Sequence, residues 1–162
     1  MKNKGSNKKS KVSTPEEHVG YWLRNVSNNI AYTFSKKLEA SEVTVAELII
    51  LRQMYEAGRT SPWVIAEKTG LTRGAISKLI ARLLNKGLVT REESIKDRRF
   101  QEIKLTSKGE KLVPYLARIA DKNDEYFFGD LSLQKRGDLI GFLKKVAKTH
   151  GFGSRLAIES KI

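Results

Sequence analysis

Cysteine is absent from this 162-residue chain. That excludes disulfides, thiol redox sensing, cysteine nucleophiles and cysteine-held metals within it. Histidine is nearly absent: His18 and His150 are the only two, too few for a histidine-rich metal site. No apolar run approaches the roughly 18–20 residues that a membrane-spanning helix needs. The first twelve residues, MKNKGSNKKSKV, are basic but lack the apolar stretch of a signal peptide, which predicts a cytoplasmic protein. There is no nucleophile–base arrangement, no metal-ligand spacing and no phosphate-cradling glycine loop, so neither an enzyme nor a cofactor is expected. Acidic residues are the remaining scarcity. Eighteen Asp and Glu stand against 31 Lys and Arg, a net charge of +13.

The positive excess is concentrated. Residues 1–12 contain five lysines and no acid, and residues 72–109 carry a net +6. Such blocks create a potential favourable to a polyanion. At 40% hydrophobic residues, the chain between them has material for a core. Residues 1–12 read as a disordered basic tail and 151–162 as a C-terminal tail.

Helix signals divide the rest. Thr14-Pro15-Glu16-Glu17 reads as a capped start, followed by an apolar stripe from Val19 to Leu38. Thr44-Val45-Ala46-Glu47 is a second capping box, opening a helix that stops at Gly58. Ser61-Pro62 opens a short helix ending at Gly70. Thr72 caps the clearest helix, with Ile76, Leu79, Ile80, Leu83 and Leu84 on one face and Gly87 at its end. Its other face bears Arg73, Ser77, Lys78, Arg82 and Asn85, without an acid from Thr72 to Gly87. Leu88–Glu93 and Phe100–Leu105 read as two strands. A long helix is expected from Thr106, with Pro114 bending it or delaying its start. Ser132 caps the last helix, which Gly151 and Gly153 end.

The predicted fold is therefore mainly α with a small β-hairpin. Pro62 to Ala81 has the shape of a helix-turn-helix. Ala66 is small at the crossing of the two helices, Gly70 permits the turn, and Ile76 anchors the second helix. A helix of this kind fits the major groove of double-stranded DNA. Thr72, Arg73, Gly74, Ser77, Lys78 and Arg82 are the candidate contacts, with Arg73 able to fork onto a guanine. Ser61 and the amides at its helix start are candidates for a phosphate. The hairpin then reads as a wing. Its loop, SIKDRRF, places Lys96, Asp97, Arg98 and Arg99 where an arginine could enter the minor groove.

These residues resemble the MarR-type transcriptional regulators. The resemblance spans about residues 15–150. It rests on LTRGAISKLIARLLNKGLV and on DRRFQEIKLTSKG, which fits a D-x-R … L-T-x-x-G signature through Asp97, Arg99, Leu105, Thr106 and Gly109. It implies a winged helix-turn-helix over 41–105 between helical regions, 13–40 and 106–150, that build a homodimer. It also implies a pseudo-palindromic operator, usually repression, and a minor-groove role for Arg99 supported by Asp97. The oxidant-sensing branch that relies on cysteine does not apply.

Trp22, Tyr126, Phe127, Phe128 and Phe142 supply more aromatic surface than a winged-helix core needs, as a dimer interface would. His18, Tyr21, Trp22 and Arg24, with Tyr32 and Phe34 further along, are candidates to line a cleft for a small aromatic carboxylate effector. A non-specific architectural DNA-binding protein is the alternative. Removing the Lys-rich tail is expected to reduce the salt dependence of DNA binding without altering base preference.

Overall fold

The computed structural model describes residues 12–93 and 101–151. The predicted tip residues Lys96, Asp97, Arg98 and Arg99 lie outside the described residues, as do most of both tails.

Among the described residues, six α-helices and three short strands follow in order: α1 (Val19–Leu38), α2 (Val45–Ala57), β1 (Arg59–Thr60), α3 (Pro62–Thr69), α4 (Arg73–Asn85), β2 (Val89–Glu93), β3 (Gln101–Leu105), α5 (Ser107–Phe128) and α6 (Leu133–Thr149). The helix starts follow the local capping chemistry read from sequence. Thr44, Ser61, Thr72, Thr106 and Ser132 each accept the amide three residues on. The start at Thr14 is different. Its amide donates to Glu17 Oε2 at 3.0 Å, but Pro15–Glu17 forms only a 3-10 turn. His18 then adopts an extended backbone, φ −100° and ψ 126°, and α1 begins behind it.

Pro114 does not delay α5. The helix starts at Ser107 and is continuous through Pro114. Thr106 fixes the start: its side chain accepts from the Gly109 amide at 3.1 Å and donates to the Gly87 carbonyl at 2.7 Å. Its own amide donates to the Leu88 carbonyl at 3.0 Å.

The sheet order is β1-β3-β2, antiparallel throughout. Strand β1 is absent from the sequence reading, because two residues carry no alternation; β3 alone defines it, pairing Arg59 with Lys104 and Thr60 with Ile103. In the wing, Val89 faces Leu105 and Glu93 faces Gln101.

One core runs from Leu38 to Leu116. It includes Ile50, Leu51, Met54, Ile65, Ile76, Ile80, Leu83 and Ile103, each at most 1% exposed. Most of α1 lies outside it, and α6 has no buried residue. The core thus joins the winged unit to the end of α1 and to α5, while the rest of α1 and α6 leave apolar side chains in the open.

A half-buried ion pair ties the unit together. Glu47, wholly buried, accepts two hydrogen bonds from Lys86 Nζ at 2.9 and 2.8 Å and one from the Thr44 amide at 2.8 Å. Burial alone would raise the Glu47 carboxyl. The Lys86 hydrogen bond, the Thr44 amide and the Lys86 charge outweigh it and hold the group below the ordinary glutamate value. Its stabilisation is therefore complete above the unfolded value, about 4.3, and is lost as pH falls through the lower folded value. Glu47→Gln should cost roughly 1.5–3 kcal/mol at neutral pH and flatten the acid limb of stability against pH. Urea denaturation of both proteins between neutral and acid pH measures this.

Candidate nucleic-acid interface

The turn between α3 and α4 depends on Gly70, whose φ of 72° closes α3 in the left-handed region. Thr72 then caps α4, its side chain accepting from the Ala75 amide at 3.2 Å. With Ile76, Leu79, Ile80 and Leu83 buried, the helix turns this one face to the core. Thr72, Arg73, Gly74, Ser77, Lys78 and Arg82 all end up exposed, on a continuous arc opposite the buried stripe. A Cβ at Gly74 would meet nothing within 4 Å, so the chain's own packing does not require glycine there.

Ser61 is half-buried, and its hydroxyl accepts from the Val64 amide at 3.3 Å. One of the amides considered for a phosphate is thereby already used. Beside it, Trp63 is 55% exposed, an aromatic side chain at the start of α3 that the sequence reading passed over.

The wing carries an ion cluster on its strands. Glu92 on β2 pairs with Lys104 on β3 and with Arg59 on β1, the latter at 3.0 Å. The hydrogen bond and charge of Lys104, with Arg59 behind it, hold the Glu92 carboxyl below its ordinary value. Lys104, which belongs to the same basic stretch in sequence as the tip residues, is thus a strand residue paired across the sheet. The described parts of the hairpin end at Glu93 and Gln101, directly opposite one another.

The candidate effector residues are spread along α1. His18 stands at the N-cap position without a side-chain cap, its Nε2 3.0 Å from Ser13 Oγ. Tyr21 and Trp22 meet edge to face, 5.3 Å between centroids, and Arg24 is exposed. Trp22 lines an open apolar groove of about 880 Å³ with Val26, Phe34, Phe128, Leu139 and Leu143. His18, Tyr21, Arg24 and Tyr32 are not among its lining residues. The sequence reading missed the aliphatic majority of this groove, whose signal was only the helical stripe of α1. Trp22, Tyr126 and Phe142 are each more than half exposed, while Phe127 and Phe128 are half-buried. Among the described residues, no helix is long and apolar enough to cross a membrane.

Known proteins share this arrangement. Residues 41–99 match the model of the MarR family. The transcriptional regulator HosA of Escherichia coli O157:H7 is 27% identical over 111 residues, spanning 68% of this chain and 82% of HosA. BpsR of Bordetella bronchiseptica, whose DNA binding is regulated by 6-hydroxynicotinic acid, has a TM-score of 0.74 at 23% identity, over 85% of this chain and 98% of BpsR. A mutant MarR from Escherichia coli complexed with operator DNA has a TM-score of 0.72 at 21% identity, over 83% of this chain and 99% of that one. The family match covers α2 to β2, and the likeness to solved structures extends over the flanking helices, so the chain has the winged helix-turn-helix fold of the MarR proteins it is similar to.

Proposed function

We propose that this protein is a sequence-specific, homodimeric DNA-binding regulator that occupies a pseudo-palindromic operator and represses transcription there. The observation that carries the reading is the exposed, acid-free arc of α4 from Thr72 to Arg82, set beside a hairpin. Arg73 and Ser77 at its start are suited to base edges, and Lys78 and Arg82 to phosphates. Arg99, with Asp97 supporting it, is assigned to the minor groove, and Lys96 and Arg98 to the flanking backbone. A structural neighbour crystallised with operator DNA supports duplex DNA as the partner.

Selecting bound DNA from a random pool tests this. The expected product is an inverted repeat with half-sites one helical turn apart, about 10–10.5 base pairs between centres. Equal binding of random and selected DNA at physiological salt would favour an architectural protein instead. Arg73→Ala should weaken operator binding by about 1–3 kcal/mol and broaden base preference in its half-site position. Arg99→Ala should weaken it by a similar amount, with fold and oligomeric state unchanged by circular dichroism and sedimentation.

The homodimer is supported by the open groove between α1 and α6 and by exposed Trp22, Tyr126 and Phe142. The effector is assigned to the aromatic carboxylates, the class of the BpsR ligand, with His18, Tyr21, Trp22 and Arg24 at the start of α1 as its candidate contacts. Titrating the protein–operator complex with a panel of such acids should release the DNA; no release by any of them overturns this part.

A further inference from the structure

Lys86 joins three parts of the chain at the far end of α4. Its ammonium donates to both oxygens of Glu47 and, at 2.6 Å, to the Glu42 carbonyl. Glu42 sits in the corner between α1 and α2 with φ at 53°, the single non-glycine residue in the left-handed region among those described. A strained corner held by a long-range hydrogen bond is an over-determined geometry. The Lys86 amide closes α4 on the Arg82 carbonyl at 3.0 Å, and its own carbonyl accepts from Lys108 Nζ, at the start of α5, at 3.0 Å. Burying the Glu47 end of this ion pair carries a desolvation cost that offsets part of its attraction, so stability alone is a weak reason for it. It does fix one relative placement of the elements it joins.

We propose that Lys86 is a positioning residue for DNA recognition, its grip on Glu47 and the Glu42 carbonyl setting the angle at which α4 presents its first turn to the major groove. The proposal rests on the DNA-binding reading above. Helix α4 spans 13 residues, so it is a lever about 20 Å long. A tilt of about 5° at Lys86 moves the Thr72–Ala75 end by nearly 2 Å, more than a base-edge hydrogen bond tolerates. The lever is also connected to the groove. Val45, in the same first turn of α2 as Glu47, lines it together with Phe34. A shift of that turn therefore reaches α4 through Lys86.

Lys86→Met keeps the apolar stem and removes the ammonium. At a temperature where all variants are folded, it should lower affinity for the selected operator about tenfold or more. Affinity for random DNA should change by no more than about twofold, because no phosphate contact is lost. Lys86→Arg, which keeps the charge and the donors, should recover most of the operator affinity. Residual dipolar couplings should report α4 rotated against α2 in Lys86→Met and not in Lys86→Arg. An operator-to-random ratio within about twofold of wild type, or a parallel loss on both DNAs, overturns the proposal. Should Lys86→Met fail to fold, Glu47→Gln is held to the same ratio, since its amide oxygen can still accept from Thr44. If the wild-type protein prefers no sequence, the regulator reading falls, and the helix-angle measurement alone decides the role of Lys86: no rotation overturns it.

Discussion

Gly109→Ala should destabilise the protein by on the order of 3–5 kcal/mol, enough to unfold much of it at physiological temperature. A Cβ at Gly109 would stand 2.2 Å from the Leu88 carbonyl oxygen and 3.2 Å from both the Leu88 carbonyl carbon and Leu105 Cδ2. The obstacle is backbone, and it is pinned. The Leu88 carbonyl accepts from the Thr106 amide at 3.0 Å, and the Leu88 amide donates to the Leu83 carbonyl at 3.0 Å. Relief would require opening either the end of α4 or the start of α5. Gly74→Ala is the control, since the space around Gly74 is open and alanine favours a helix; it should be neutral or mildly stabilising. Urea midpoints for the two variants give the comparison. A Gly109→Ala protein within about 1 kcal/mol of wild type would mean that α5 does not approach the Leu88 backbone this closely. The same contact gives a physical reason for the glycine in the L-T-x-x-G signature: the residue three after the helix cap must pass over the Leu88 backbone, just before β2, without a side chain.

Charging the groove should have the second large effect. Leu139→Asp with Leu143→Asp should convert the protein to a folded monomer and lower operator affinity by about 10²–10⁴-fold. Both side chains line the groove, and neither is buried within the chain, so the winged core is untouched. In a dimer the same carboxylates would be pressed into apolar surface without partners, a cost of several kcal/mol. Losing the second recognition helix removes the effective concentration that makes the second half-site contact intramolecular. Sedimentation velocity and operator titration measure the two consequences separately. Dimeric protein with full operator affinity would place the interface elsewhere. A monomer retaining full affinity would break the link between pairing and recognition.

Much of the winged unit was legible because its signals are local. The cap at Thr72, the apolar stripe through Ile76, Leu79, Ile80 and Leu83, and the left-handed closures at Gly70 and Gly87 involve residues within a few positions of each other. Hydrogen bonding and period 3.6 therefore determine them before any tertiary contact forms. The failures were equally physical. Thr14 carries a good capping pattern, yet His18 remains extended and interrupts the helix. Pro114 carries a breaking signal, yet the Thr106 contacts to Gly87 and Leu88 fix the helix start upstream of it. Lys104 was read in its strand, as found, but its ion pair with Glu92 was not, because that pairing depends on strand register.

By itself, the sequence determined the order and type of the main elements, the exposed cationic arc of α4, and the exclusion of thiol chemistry. Each follows from residue types or from spacings shorter than two helical turns. Tertiary structure alone decided that Glu47 meets Lys86, that Arg59 joins β3, that Gly109 must lack a Cβ, and that the apolar side of α1 stays open. Those facts depend on the relative placement of segments tens of residues apart, and no local periodicity encodes the distance between them.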